Sequence, residues 1–199
     1  MSTPPDPVQF RPAALVIPYA DVWPTINPAA WLAPMAVLVG DVTVAADASV
    51  FYGAVVRGDM AAVNIGEAAN IQDNVVVHTA SNHPAVIGPG VSVGHGAVVH
   101  GCTIEADCLI GMNATVLNGA VIGEGSLVAA GAVVLEGTRI PPRSLVAGVP
   151  GRVRRPLSAE EGAKIKNNAR IYLGLRYGGL VTPLSPERAE GHPDQPPAG

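Results

Sequence analysis

Aliphatic residues recur at every sixth position through most of this 199-residue chain. The longest run keeps that spacing over eight positions without a shift, from Ile104 to Val146. A period of six fits neither an amphipathic helix, whose period is 3.6, nor a flat strand, whose period is 2. It fits short strands that each form one side of a triangular coil. The repeat positions are Leu38, Val44, Val50, Val56, Ile65, Ile71, Val77, Ile87, Val93, Val99, Ile104, Ile110, Val116, Ile122, Val128, Val134, Ile140 and Val146.

The side chain two positions before a repeat residue is almost always small, as at Ala97 and Ala114. Aromatic residues make up only 4% of the chain, so its core must consist of small and β-branched side chains. The pattern predicts an all-β solenoid of parallel hexapeptide repeats over residues 13–151, with about 18 residues to a turn. Cys102 and Cys108 occupy the small positions. We therefore interpret them as core filler and expect no disulfide.

The pattern changes after Gly151. Ser158 and Glu161 have the spacing of a capping box, and apolar residues follow at helical intervals, which predicts a helix over residues 158–177 packed on the solenoid. Residues 1–12 and 183–199 are rich in proline, glycine and charge, and we expect both segments to be flexible.

The repeat also predicts which side chains lie above one another. Val56 and Val77 are 21 residues apart, and Val77 and Val99 are 22 apart. If the residues in excess of 18 loop out, the residues that follow these three valines form a column, with a spacing of about 4.8 Å between strands. This first column is Arg57, His78 and His100.

A second column follows from the same arithmetic on the neighbouring side of the coil, where Tyr52, Asp73 and His95 are expected to stack. His95 then points away from a different side than His78 and His100. Three neutral imidazoles with one open position are typical of a catalytic zinc site, at which a bound water loses a proton near neutral pH. One chain alone cannot easily bring the three together, so we expect a neighbouring subunit of a closed three-fold ring to supply the third ligand.

Polar residues near these columns complete the candidate site. Gln72 carries both a donor and an acceptor, which suits a metal-bound hydroxide or a small oxygen-rich substrate. Arg57 and Asp73 lie in the columns of the histidines, and at a subunit interface they would form a charge-assisted pair. That pair either holds the trimer together or orients the site. Asp59 lies two residues after Arg57, and Asn70 lies two residues before Gln72.

Charge and hydropathy exclude several other functions. The net charge is −4, and the few basic residues form no face for nucleic acid or for an anionic membrane. No signal-like segment or apolar run of about 20 residues is present. We therefore expect a cytoplasmic protein with a small-molecule substrate.

Taken together, these features resemble the gamma-class carbonic anhydrase family over residues 12–177. The resemblance rests on the hexapeptide array, the trailing helix and the spacing of Arg57, Gly58, Asp59, Asn70, Gln72, Asp73, His78, His95 and His100. It implies a left-handed β-helix, a homotrimer, and a metal-bound hydroxide that converts carbon dioxide to bicarbonate. The metal, which is zinc, iron or cobalt in the family, would be held by His78 and His100 of one subunit and His95 of the next.

The resemblance also implies roles for the remaining residues. Gln72 and Asn70 would contact the hydroxide or the substrate. Arg57 and Asp73 would bridge subunits. Tyr172 would approach the site from the helix.

The chain departs from the family pattern where protons leave the site. The family's best-studied type has a glutamate directly after the Arg-Gly-Asp stretch and an acidic loop after the first histidine. This chain has Met60 and the uncharged loop 79–82 in those places. Fast hydration requires that a proton leaves the site in each cycle. We therefore expect weak activity unless His83 carries this proton in place of the missing acidic residues.

Three alternative functions remain open at this point. The same metal site would suit hydrolysis, for instance of an acyl-CoA thioester. A hexapeptide-repeat acyltransferase would need a groove for CoA and a single histidine as its base. A non-catalytic assembly protein would use the metal only to join its subunits.

Overall fold

The computed structural model describes residues 13–178. They form a parallel β-solenoid of about seven coils followed by one helix, α1, at Ala159–Gly178, so the predicted solenoid with a C-terminal helix is confirmed. The segments 1–12 and 183–199, for which we predicted flexibility, lie outside the described residues. No helix within residues 13–178 combines the length and the apolar character that are needed to cross a bilayer.

The strands stack on three faces of the coil. The first face contains β1 Leu15–Ile17, β8 Val76–His78, β11 Val98–His100, β14 Thr115–Val116 and β17 Val133–Val134. The second face contains β3 Trp31–Leu32, β5 Ser49–Val50, β7 Asn70–Ile71, β10 Ser92–Val93, β13 Leu109–Ile110, β16 Leu127–Val128, β19 Ser144–Ala147 and β20 Arg152–Pro156. The third face contains β2 Thr25–Ile26, β9 Ala85–Ile87, β12 Thr103–Ile104, β15 Val121–Ile122 and β18 Arg139–Ile140.

Two longer strands pass from the first face to the third. These are β4 at Val37–Val44 and β6 at Val55–Ile65, which pair in parallel with a register shift between Gly40 and Val42. The first part of β6 pairs with β8, and its last part pairs with β9. The insertion between Val56 and Ile65, where the six-residue period slips, is therefore absorbed in a continuous strand.

The repeat residues form the core. Val56, Val77 and Val99 have no exposed surface, and the same holds for most of the other repeat positions. Complete burial of such a side chain contributes about 1.5–3 kcal/mol to folding. Cys102 and Cys108 are buried free thiols among them, in agreement with their interpretation as filler.

Corners of the coil require a left-handed backbone. Asn74, Asp107 and Asn113 have positive φ angles there, and so do corner glycines such as Gly96 and Gly131. Glycine, asparagine and aspartate tolerate this conformation best, which explains part of the chain's high glycine content.

Helix α1 begins with the expected capping box. The Glu161 amide donates to Ser158 Oγ at 3.2 Å, and the Ser158 amide donates to Glu161 Oε2 at 2.9 Å. The helix then runs beside β5, β7 and β10 of the second face and buries Ile165. In this way it carries Tyr172 to the side of the coil on which His95 lies.

Candidate metal centre

The predicted first column is present. Val56 pairs with Val77 and Val77 pairs with Val99, so the residues in excess of 18 leave the register of the core intact. His78 and His100 are direct partners on neighbouring strands of the first face. Nδ1 of His78 lies 3.0 Å from Nε2 of His100, and the two ring centroids are 4.9 Å apart.

Each of these two rings is held by its outer nitrogen. Nε2 of His78 donates to Oδ1 of Asp59 at 2.9 Å, and Nδ1 of His100 donates to Oδ1 of Asn118 at 2.7 Å. A carboxylate or an amide carbonyl only accepts a hydrogen bond, so each ring carries its proton on the outer nitrogen. The inner nitrogens then present two lone pairs to each other.

Two facing lone pairs need a cation between them or a shared proton. Neutral imidazoles whose outer N–H groups are bound to a carboxylate or a carbonyl are the usual arrangement around zinc and related metals. The donor set of His78 and His100 therefore fits a divalent transition metal. Within residues 13–178 of one chain, no cluster of three or more His, Cys, Asp or Glu side chains is arranged to hold such an ion.

Asp59 is held as a carboxylate by its neighbours. Burial alone raises the pKa of its carboxyl group, but the hydrogen bond from His78 and the positive charge of Arg57 outweigh that effect, and the net shift is downward. Arg57 also forms an ion pair with Asp59 within the chain. Asp59 thus orients His78, and Arg57 supports Asp59.

His95 lies on the second column, at the corner that follows β10. Val93 pairs with Ile71 and Ile71 with Val50, as the spacing predicted. Nδ1 of His95 lies 2.7 Å from Oδ2 of Asp73, and its Nε2 lies 3.1 Å from the hydroxyl of Tyr172. Asp73 therefore contacts His95 within the chain.

Tyr172 is the donor in its bond to His95. Burial raises the pKa of its phenol, and the negative charge of Asp73 raises it further, so the hydroxyl keeps its proton. The ring packs edge-on against Phe51 at a centroid distance of 5.3 Å. This contact helps to hold the Tyr172 ring beside His95.

A buried chain of amides lies beside His95. Asn70 Nδ2 donates to Ser92 Oγ at 2.9 Å, and Gln72 Nε2 donates to Asn70 Oδ1 at 3.0 Å. Asn70 is only 1% exposed, and its contacts orient Gln72. Gln72 is the member of the pair that faces a cavity.

That cavity has a volume of about 460 Å³ and lies on the second face, between α1 and the corner at His95. Gln72, His95 and Tyr172 are among its polar lining residues, together with Asn168. The rest of the lining is mainly apolar: Leu109, Ile110, Met112, Leu127, Val128, Ala129 and Ala130, with Gly94 and Gly111. The cavity is much larger than a three-atom substrate requires.

His83 takes no part in this arrangement. Its Nδ1 lies 3.1 Å from the carbonyl oxygen of Ser81, in the turn that Ala80 and His83 close. The important residue that the sequence reasoning missed is Asn118. The signal for it was available, because Asn118 lies in the turn directly after β14, the strand that pairs with the strand of His100.

Comparison with known proteins supports this description. The family model "Bacterial transferase hexapeptide (six repeats)" matches residues 101–136. The chain is 60% identical over 144 residues to a protein of Methanocaldococcus jannaschii named "Probable carbonic anhydrase", which covers 72% of this chain and 91% of the relative.

Two further comparisons place the chain among larger and structurally known relatives. It is 44% identical over 161 residues to "Gamma carbonic anhydrase 1, mitochondrial" of Arabidopsis thaliana, covering 78% of this chain and 58% of the plant protein. The crystal structure of a hexapeptide transferase family protein from Anaplasma phagocytophilum superposes with a TM-score of 0.80 at 38% identity, covering 83% of this chain and 98% of that one. The chain belongs to the gamma-class carbonic anhydrase family of hexapeptide-repeat proteins.

Proposed function

We propose that this protein is a metal-dependent lyase of the carbonic anhydrase type, which interconverts carbon dioxide and bicarbonate. The observation that carries the proposal is the arrangement of His78 and His100, whose inner nitrogens face each other at 3.0 Å while Asp59 and Asn118 hold the outer ones. The relatives named as carbonic anhydrases support the same reaction.

The proposed metal ligands are His78 and His100 of one subunit and His95 of the partner subunit. We favour zinc, because three neutral imidazoles with one open position are typical of catalytic zinc sites. Iron and cobalt are alternatives, because imidazole also binds them. When bound, such a metal supplies a hydroxide nucleophile at neutral pH by acidifying water. The outer-nitrogen bonds to Asp59, Asn118 and Asp73 keep the three rings in the tautomer that binds metal.

A three-fold ring is supported by the apolar residues on the same coil corners. Met112 lies one coil beyond His95 at the corner after β13, and it is 54% exposed. Leu135 lies two coils beyond His100 at the other corner, and it is 42% exposed. Contact between these two different corners is heterologous, and such contacts form a closed ring when the rotation is three-fold. The same contact would bring His95 of the partner subunit to the level of His78 and His100.

Gln72 is the residue that we assign to the substrate. Its amide nitrogen is bound to Asn70, so its carbonyl oxygen remains available to the cavity beside His95. That oxygen would accept a hydrogen bond from a protonated oxygen of bicarbonate. Asn70 then acts through Gln72, and Arg57 acts through Asp59.

Proton export limits the proposed reaction. Met60, at the place of the family glutamate, is exposed and cannot carry a proton. His83 is bound to its own turn, and no described contact links it to His78 or His100. We therefore expect slow hydration that accelerates when a small buffer such as imidazole carries the proton away.

The cavity favours a second candidate function, hydrolysis of an ester or thioester with an aliphatic acyl chain. Its apolar lining next to Gln72 and His95 would accommodate such a chain, which carbon dioxide does not possess. The same metal site would serve both reactions.

One set of measurements tests the proposal and separates the two functions. Protein purified without air is analysed for metal, and zinc-loaded and iron-loaded samples are assayed by stopped flow for hydration of carbon dioxide. The same samples are assayed against acyl-CoA thioesters with detection of the free thiol. Full metal occupancy without hydration would refute the lyase function, and thioester cleavage in that case would support the hydrolase.

A further inference from the structure

We propose that Asn118 and Glu136 form a proton-placing pair, which keeps the metal-facing nitrogen of His100 free of its proton. Asn118 Oδ1 accepts from His100 Nδ1 at 2.7 Å, and Asn118 Nδ2 donates to Glu136 Oε1 at 3.2 Å. Neither residue touches the metal position, so both are positioning residues. The inference rests on the proposed metal site.

The direction of the Asn118 amide is the central point. An amide has a donor end and an acceptor end, and in isolation either end could face His100. A carboxylate can only accept, so Glu136 binds the NH₂ end and turns the carbonyl end toward His100. His100 must then carry its proton on Nδ1, which leaves the lone pair on Nε2 toward His78.

The reverse orientation would be harmful to metal binding. An amide turned by 180° would donate to Nδ1 of His100 and favour the tautomer with the proton on Nε2. That proton would occupy the position of the metal. Partners of this kind change metal affinity by about 10- to 100-fold when they are removed.

The pair can be altered without disturbing the core. Glu136 is exposed, and the backbone bond from the Gly137 amide to the Asn118 carbonyl holds the two turns together independently of both side chains. The two residues are 18 positions apart and lie on successive coils, in the register in which Val116 pairs with Val134. His78 has a simple carboxylate partner in Asp59, so only the His100 side needs a second residue to define the proton position.

The test uses a swap of hydrogen-bonding character. Glu136→Gln offers both a donor and an acceptor, so it no longer determines the Asn118 orientation, and we expect zinc and cobalt affinity to fall by about tenfold. The double variant Asn118→Asp/Glu136→Gln should restore it, because a carboxylate at position 118 accepts from His100 on one oxygen and from the new side-chain amide at position 136 on the other. Glu160→Gln, on the exposed face of α1, is the matched control.

Two measurements read the result. Competition with a chromophoric chelator gives the affinities for zinc and cobalt, and nitrogen-15 NMR of metal-free protein reports which nitrogen of His100 carries the proton. Equal affinity and an unchanged tautomer in Glu136→Gln would overturn the pair, as would failure of the double variant to restore both. Wild-type protein that binds metal but does not hydrate carbon dioxide would refute the lyase function alone, whereas wild-type protein that binds no metal would refute both proposals.

Discussion

The hydroxyl of Tyr172 lies 3.1 Å from Nε2 of His95, although the two residues are 77 positions apart in the chain. This is the ring nitrogen that the proposed shared site requires, because Nδ1 of His95 is already bound to Asp73. One lone pair cannot accept the phenol proton and bind a metal at the same time. In the single chain, helix α1 therefore blocks the ligand that a partner subunit would need.

Removal of this hydroxyl should favour metal binding. Tyr172→Phe keeps the edge-on contact with Phe51 but frees Nε2 of His95. A neutral hydrogen bond contributes about 1 kcal/mol, so we expect metal affinity to rise by up to about fivefold. Titration with cobalt against a chelator measures it. A fall of tenfold or more would mean that Tyr172 helps to hold the metal.

If the chain forms the proposed three-fold ring, mixed rings of two variants offer a direct test of the proposed shared site. His95→Ala removes the ligand from one corner, and His100→Ala removes a ligand from the other. Each variant alone should lose high-affinity metal and activity. After subunits are exchanged, an interface between an intact His78–His100 pair and an intact His95 should recover one complete site per mixed ring.

The recovery has a defined size and a matched control. A trimer that contains both variants has at most one complete interface of three, so we expect metal content and activity up to about one third of the wild-type values. His83→Ala should behave as wild type, since His83 is bound to its own turn. Independent sites within each chain would give no recovery after exchange, and that result would refute the shared site.

The fold was predictable because the repeat is visible in the spacing of residues along the sequence. Burial of an aliphatic side chain at every sixth residue determines the register, so the pairing of Val56 with Val77 and of Val77 with Val99 followed from sequence separations alone. The capping box at Ser158 and Glu161 was readable for the same reason, because it is local. The columns that carry the histidines could therefore be placed from the sequence.

Contacts between columns were less predictable. The sequence predicts that Arg57 meets Asp73 across subunits, and this stays a prediction. What the sequence does not indicate are the contacts within the chain, where Arg57 binds Asp59 and Asp73 binds His95. These pairings depend on which rotamers long side chains adopt at a corner, and a period of six contains no information on that. The sequence does not single out Asn118, because a polar residue in a turn is usually only solvated. Its role follows from the distance of 2.7 Å between its Oδ1 and Nδ1 of His100.

The cavity gives a prediction that separates lyase from hydrolase activity. Ala129 forms part of the apolar lining, two coils beyond Gly94, the residue before His95. Ala129→Leu adds bulk there, so cleavage of long-chain acyl thioesters should fall by about tenfold or more while carbon dioxide hydration stays within twofold. Steady-state assays on both substrates measure the two effects. A parallel loss of both would place the carbon dioxide site in the same part of the cavity.

The two cysteine thiols should be unreactive toward thiol reagents in the folded protein. Burial raises the pKa of both Cys102 and Cys108 to about 12, and the reactive form of a thiol is the thiolate. We expect no labelling by a thiol reagent at pH 8 until the protein unfolds, and then two thiols per chain. Metal removal should leave the labelling unchanged. Fast labelling of one thiol in the apo protein would argue for a role in metal binding.

The start of α1 should respond to acid. Hydrogen bonds from Arg155, at 2.7 and 2.8 Å, and from the Ser158 amide lower the pKa of Glu161 to about 2, from 4.5 in the unfolded chain. A lowered folded-state pKa stabilises the protein above pH 4.5, and this contribution is lost as the pH falls from about 4.5 toward 2.

Glu161→Gln should therefore flatten the dependence of stability on pH in that window. At pH 7 the variant should have the lower midpoint of thermal unfolding, followed by circular dichroism, and the gap to wild type should close as the pH approaches 2. Glu160→Gln is again the control, because its exposed pair with Lys164 contributes little. If the two variants had equal acid profiles, the Arg155–Glu161 contact would not stabilise the junction between solenoid and helix.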